Sequence, residues 1–418
     1  MAQLTDDCFA FAGPLLPLDE MERLIHERVQ PIAETQIVAL RDARGRVLAA
    51  DIIAPLDLPP FDNSAVDGYA VRHAALHPDT ETRLVVAGRV TAGQDSAREV
   101  SANEAIRIFT GAPMPPGADT VFMQEDCRVD GDAVIVPPGL KAGANRRFAG
   151  EDVKKDSVVL AAGRVLSATD VALAAALGLT TLEVRRCVRV ALFSTGDEIV
   201  EPGKPRPAAA LFDANRYLLA GLLARLCAEV TDLGIVRDDP DALIRAIGDA
   251  AKNHDLVLTS GGVSTGEADH VRTAVEKIGR LVFWRVAIKP GRPVAMGVID
   301  GAAFAGLPGN PVAAFVTFVR VVRPLLLRLG GASPQTLIAL PVRAAFSYRK
   351  KKGRREYVRV ALRRAADGMV EAVKHPQEGA GVITSLTETD GLAELAEDTT
   401  SMEPGATVGF LSYASLVG

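Results

Sequence analysis

The 418-residue chain lacks the marks of several protein classes. It has no basic surplus: its formal net charge is −5 and its isoelectric point is near 5.8, which argues against a generic nucleic-acid binder. The opening MAQLTDDCFAFAG has no basic stretch leading into an apolar core, so it does not read as a signal peptide. The most apolar run, AAFVTFVRVVRPLLLRL at 313–329, is cut by Arg320, Arg323 and Arg328; it reads as a buried amphipathic helix rather than a membrane span. Cysteine is scarce. Cys8, Cys127, Cys187 and Cys227 stand far apart with no CxxC, so neither a zinc site nor a disulfide framework is expected, and reduced cysteines in a cytoplasmic protein are. There is no GxxxxGK[ST] nucleotide loop, no HExxH, no tandem repeat and no low-complexity linker. His73 and His77, four apart, have no third ligand at useful spacing and read as surface residues.

Other features are present in quantity. From about 188 to 334, apolar strand-like runs alternate with helical patterns, which predicts a doubly wound α/β domain: a parallel sheet with helices on both faces. Before it, residues 18–33 read as one amphipathic helix and 165–179 as another. Between them lie short strand-like segments punctuated by Gly and Pro. The expected organisation is a linking domain of 1–58 with 141–187, a β-rich insert at 59–140, the α/β domain at 188–334 and a β-rich tail at 335–418.

In an open parallel sheet, ligands bind beyond the carboxyl ends of the strands. The residues that follow these strands are Ser194-Thr195-Gly196-Asp197-Glu198, Arg237-Asp238-Asp239-Pro240, the stretch TSGGVSTGEADH at 259–270, Lys289-Pro290-Gly291-Arg292-Pro293 and Pro308-Gly309-Asn310-Pro311. Singly, each has an ordinary reading as a turn or a helix cap, Asp269 above all. Together they should share one edge. Glycine N–H groups with Lys289 and Arg292 suit an oxyanion. Glu198, Asp238 and Asp269 suit a divalent cation that relieves repulsion between carboxylate and phosphate. The N-terminal half adds polar clusters at FDNSAVDGYAVR (61–72), FTGAPMPPGAD (109–119) and NRRFAGED (145–152). The basic run Arg349–Arg355 reads as a solvated turn.

LPPFDNSAVDGYAVR, IRIFTGAPMPPGADTVFMQED, NRRFAGED, VALFSTGDEIV, SGGVSTGEAD, AIKPGRP and GLPGNPVA, in this order, closely resemble the MoeA family, the molybdopterin molybdenumtransferases. The resemblance implies a MogA-like three-layer α/β domain, a β-rich N-terminal region and a small C-terminal β-barrel. It also implies insertion of molybdenum from molybdate into adenylylated molybdopterin with release of AMP, dependent on magnesium, in a homodimer. A MogA-like adenylyltransferase would supply the substrate, and molybdoenzymes or their chaperones would take the product. By motif, the family's functional residues fall on Asp67, Thr110, Asp152, Glu198, Asp238, Asp269 and Lys289, with Arg147 in the cleft and Arg359 as an oxyanion contact. Ser260, Gly261, Gly262, Ser264 and Gly266 would cradle the pterin phosphate, with Pro308, Gly309, Asn310 and Pro311 lining the cleft. Two positions depart from the pattern. Arg285 stands where lysine is frequent, and Ala380 where a serine associated with molybdate docking is expected. Arg285 would compensate for Ala380 through its planar fork. Crowded carboxylates should raise one another's pKa, which nominates Asp269 or Glu198 as a proton carrier. The alternatives are a non-catalytic gephyrin-like scaffold or a paralogue handling another oxyanion such as tungstate.

Overall fold

The computed structural model describes residues 15–94, 98–263 and 270–417, the side chains at 283 and 284 apart. The chain divides into two compact units. One comprises 1–50, 162–168 and 181–418; the other, 51–161 with 169–180, interrupts it in sequence.

The centre of the first unit is a six-stranded sheet: β1 (Val188–Thr195), β2 (Ala228–Val236), β3 (Leu256–Ser260), β4 (Arg280–Arg285), β5 (Pro293–Ile299) and β6 (Ala302–Leu307), in spatial order β2-β1-β3-β6-β5-β4. Alternation along β1 assigns its faces. Val188, Val190 and Leu192 pack in one core with α1 (Leu18–Arg28), α2 (Asn215–Leu223), α5 (Pro311–Thr317) and α6 (Arg323–Leu329). Ala191 and Phe193 pack in another with α3 (Pro240–Asn253) and α4 (His270–Ile278). This is the expected doubly wound arrangement, with one correction to its strand directions: β5 runs antiparallel to both its neighbours. The cause is local. Asp300 (φ 51°) and Gly301 (φ 82°) make a two-residue turn with both φ positive, and such a turn can only join antiparallel strands. β4 therefore points the same way as the first four strands, and its carboxyl end meets theirs.

Helix ends also differ from expectation. α1 stops at Arg28 rather than 33, because Pro31 bars its predecessor from helical geometry. The helix expected at 165–179 spans Ala168–Ala176. The apolar run from 311 is helical throughout but contains a π turn at Phe318–Val322. Pro324 has no N–H for the Arg320 carbonyl, so the ladder slips and the Arg323 N–H bonds to the Phe318 oxygen.

In the tail, β7 (Leu340–Ala344), β8 (Arg355–Arg364), β9 (Val370–Lys374), β10 (Gly391–Leu395) and β11 (Thr407–Ser412) pair in the ring β8-β9-β7-β11-β10-β8, a closed barrel. Val358 and Val360 of β8 fill it. Tyr357, just before them, points to the other face and joins the core of the α/β sheet.

Cysteine is a second correction. Cys187 and Cys227 form a disulfide with Cα atoms 4.9 Å apart. They lie at the amino ends of adjacent parallel strands, where Val188 pairs with Ala228. A separation of 40 residues hid this contact in the sequence.

The second unit is built on a six-stranded sheet in the order Thr120–Met123, Gly68–Val71, Glu104–Ile108, Thr82–Val90, Ala133–Val136, Arg128–Asp130. Two small apolar clusters cover it, one around Tyr69 and Phe122, the other around Ile106 and Ile108. No described helix in the chain is long and apolar enough to cross a membrane.

Candidate active site

Three chain turns meet at the carboxyl edge of the sheet, and two of them require glycine. A β-carbon on Gly261 (φ 92°) would lie 2.2 Å from the Thr195 carbonyl oxygen, and one on Gly262 (φ 66°) 2.4 Å from Val271 Cγ2. One on Gly196 (φ 141°) would strike the Glu198 carboxylate at 2.6 Å. A β-carbon on Gly309 would be only 3.9 Å from the Gly261 α-carbon, so the Pro308–Pro311 turn abuts the Ser260–Gly262 turn. Asn215 locks the two together. Its Nδ2 donates to Ser260 Oγ and to the Gly309 carbonyl, both at 2.8 Å, and Ser260 Oγ donates to the Pro308 carbonyl at 3.3 Å. Asn215 reads in sequence as a helix cap; its bridging role depends on partners 45 and 94 residues away. The edge also holds buried hydroxyls on Ser194, Thr195 and Thr259 with no hydrogen-bond partner among the described residues. Bare backbone and unused hydroxyls are what an anionic ligand requires.

Beside the cradle lies Asp238. Burial pushes its carboxyl up; His270 opposes the shift, while Asp197 and Glu198 add to it. Its Oδ1 is buried without a partner among the described residues. A raised carboxyl is thus found at Asp238, beside the acids expected to crowd one another. Asp269, Ser264 and Gly266 lie outside the described residues, and among those described no three His, Cys, Asp or Glu converge as a metal cage. Asp238 and Glu198 still fit a divalent cation, because an orphaned carboxylate oxygen repelled by two acids lacks only a positive charge.

Pro308 and Asn310 also line a cavity of 310 Å³, which opens toward the barrel and includes Lys289, Arg292, Arg359 and Ala380. Arg359, 5% exposed, donates from Nε to Ser385 Oγ (3.0 Å) and from Nη2 to the Gln377 (3.0 Å) and Gly379 (3.2 Å) carbonyls. These partners are neutral, so its charge is held in place without being cancelled. Lys289 differs: its Nζ is 3.0 Å from Glu356 Oε2 and 3.3 Å from the Tyr348 hydroxyl. Glu356, 1% exposed, also accepts from Tyr348 (2.9 Å) and from Arg354 Nε (2.8 Å). Burial pushes its carboxyl up, and the bonds from Lys289, Tyr348 and Arg354 together bring it below the ordinary value. The basic run is thus only partly a solvated turn. Lys351 and Lys352 are exposed, while Arg354 turns in to Glu356 and Arg355 to Glu397. Ala380 adds a methyl to the wall, and its carbonyl accepts from the Val312 N–H at 3.0 Å. Arg285 does not line the cavity; it ends β4 opposite Pro293, and Arg292 lines the wall instead.

The polar clusters of the second unit have their own order. Asp67 accepts from both N–H and hydroxyl of Thr110, each at 2.8 Å, and these bonds lower its pKa. Asp62 accepts from Ala149 N (2.7 Å) and pairs with Arg146. Arg147 pairs with Glu151, and Asp152 is exposed.

Comparison with known proteins decides the family. Residues 16–178 match the model of the MoeA N-terminal region (domains I and II), 191–328 that of a probable molybdopterin binding domain, and 341–413 that of the MoeA C-terminal region (domain IV). The chain belongs to the MoeA family. A molybdopterin molybdenumtransferase of Haemophilus influenzae is 37% identical over 97% of this chain and 100% of its own length. One from a Nostoc species is 36% identical over 90% of this chain and 88% of that protein. The crystal structure of a Pyrococcus horikoshii molybdopterin biosynthesis MoeA protein covers 96% of this chain and 100% of its own, with a TM-score of 0.81 at 30% identity. The three-layer α/β domain, the β-rich N-terminal region and the C-terminal barrel of this chain are the MoeA architecture.

Proposed function

We propose that this MoeA-family protein is a molybdopterin molybdenumtransferase, inserting molybdenum from molybdate into adenylylated molybdopterin and releasing AMP. The observation that carries this reading is one turn, Pro308–Pro311, which contributes both to the glycine cradle and to the cationic cavity. The cradle of Ser260, Gly261 and Gly262 takes the pterin phosphate on backbone N–H groups. The cavity takes dianionic molybdate against Arg359, Lys289 and Arg292. Glu198 and Asp238, with Asp269, would hold a magnesium ion. When bound, that ion supplies charge neutralisation and polarisation at the phosphate linkage to AMP. Replacing oxo groups of molybdate by sulfur releases them as water and so consumes protons. A carboxyl of this acidic cluster that does not hold the ion would carry them. Asp67, Thr110, Arg147 and Asp152 serve the same reaction from the second unit.

In this reading the protein works as a homodimer in the cytoplasm. It receives its substrate from a MogA-like adenylyltransferase and passes the cofactor to molybdoenzymes or their chaperones. The family supports these assignments. So do Phe61 and Phe148, 46% and 50% exposed beside the polar clusters of the second unit, where a facing surface would cover them.

The test is assembly of active cofactor from the purified protein, adenylylated molybdopterin, magnesium and molybdate. AMP release that tracks molybdenum incorporation, lost in Asp238→Asn without loss of fold, is expected. A stably folded wild-type protein that binds the pterin but releases no AMP would point to a scaffold, and faster turnover with tungstate to another oxyanion.

A further inference from the structure

A second cavity of 330 Å³ shares no lining residue with the site above. It lies against α1, the π turn with α6, and the connector into the barrel. We propose that it binds a small carboxylate with an apolar body, independently of the molybdenum chemistry.

The charge balance of its wall leads to this reading. Arg320, 5% exposed, pairs with Glu22 of α1 at 2.8 Å. Arg355 is held by Asp19 and Glu397. Arg328 donates from Nε to the Val29 carbonyl at 2.9 Å. Among the described residues Arg323, 6% exposed, has no acid partner: Nη2 bonds to the neutral Gln335 Oε1 at 2.9 Å, and Nε has no partner. Burial, then the neighbouring charge of Arg320, push its guanidinium below its ordinary value. A buried cation without a counter-charge is costly, and a bound anion relieves that cost.

The backbone makes the arrangement deliberate. Pro324 displaces the hydrogen-bond ladder into the π turn, and both arginines flanking that slip line the cavity. Such turns are maintained at a loss in regular helix bonding and concentrate at functional sites. The remaining wall is mixed, with Ile25, Leu327 and Leu337 on one hand and the acids Asp19, Glu22 and Glu394 on the other. A planar guanidinium offers parallel N–H groups that match a carboxylate, while the acids Asp19, Glu22 and Glu394 in the wall repel the higher charge of inorganic phosphate and the apolar side chains cover an apolar body. At roughly 30 Å³ per water the space corresponds to about ten waters, the size of an aromatic or short aliphatic acid.

The probe is 4-fluorobenzoate, followed by ¹⁹F line width with the full-length protein. We expect broadening that unlabelled benzoate reverses and that 4-fluorobenzamide does not show. Arg323→Met should abolish it. Gln335→Glu guards against a folding artefact. It sets an internal carboxylate on Arg323, so it should raise the thermal midpoint while weakening 4-fluorobenzoate by at least about ten-fold. Unchanged affinity in Gln335→Glu, or equal broadening of the amide, overturns the proposal. Displacement by inorganic phosphate as effective as by benzoate overturns the assignment to an apolar carboxylate.

Discussion

Replacing Glu356 tests how the cationic cavity is held. The carboxylate, 1% exposed, receives Lys289 at 3.0 Å, Tyr348 at 2.9 Å and Arg354 at 2.8 Å. Glu356→Ala removes the acceptor for all three and leaves two cations facing each other. Breaking a buried pair by deleting one partner costs about 3–5 kcal/mol. Here the Lys289 and Arg354 side chains keep 46% and 28% exposure, so both can rehydrate, and the lower end, about 3 kcal/mol, is expected. Urea unfolding followed by tryptophan and far-UV signals measures it. A double-mutant cycle with Lys289→Met separates the pair from the packing: the cost of Glu356→Ala should shrink when Lys289 is already neutral. The linkage has a definite sign. The folded Glu356 carboxyl is lowered from 4.5, so its contribution is complete above that pH and is lost as pH falls through the folded value. Glu356→Gln should therefore flatten the acid limb of the stability profile and leave the neutral limb merely lowered. A loss below about 1 kcal/mol in Glu356→Ala, or a cycle with no coupling, would refute the idea that this carboxylate organises the cavity.

Other outcomes follow from geometry already described. Gly261→Ala places a methyl 2.2 Å from the Thr195 carbonyl oxygen at φ 92°, so it should cost about 1–3 kcal/mol and remove pterin binding, read by calorimetric titration. Asp238→Asn relieves a buried, repelled carboxyl and should raise the thermal midpoint at neutral pH in the presence of a chelator. Magnesium should then stabilise the parent chain and not the variant. Reduction of Cys187–Cys227, or Cys187→Ser with Cys227→Ser, opens a loop of 40 residues and should lower stability by about 3–4 kcal/mol on the chain-entropy model. Equal midpoints with and without reductant would show that the bond contributes nothing.

The strand ends were legible because each signal is local: an apolar run, then glycine, acid or base within a few residues. Asp300-Gly301 was equally local, and its hairpin signal lay between two runs that also read as parallel strands. What sequence pattern could not supply were partners chosen across the fold. Asn215 finds Gly309, Lys289 finds Glu356, and Cys187 finds Cys227, at separations that leave no periodic trace. β8 hid its own roles for another reason. Tyr357, Val358, Arg359 and Val360 are all buried, because the strand packs on both faces, so the usual alternation of exposed and buried positions is missing.

The interruption of one unit by another also sets a schedule for synthesis. Apart from Thr169–Thr180, the second unit is the continuous stretch Asp51–Ala161, and all six strands of its sheet fall within it. That sheet can form while the rest is still being made. The opening segment has to wait. Leu16 bridges Val286, donates to the Arg285 carbonyl at 3.1 Å and accepts from Ala287 N at 2.9 Å, so its partners emerge 286 − 16 = 270 residues later. At ordinary ribosomal speeds that is about 15–50 s. Until then Leu16 has no strand to bridge, and α1, apolar on one side, lacks most of the core that buries it. The newborn chain is therefore most exposed to mispairing in that interval, and a chaperone that holds the first thirty or so residues would act on this protein where its own architecture leaves a gap.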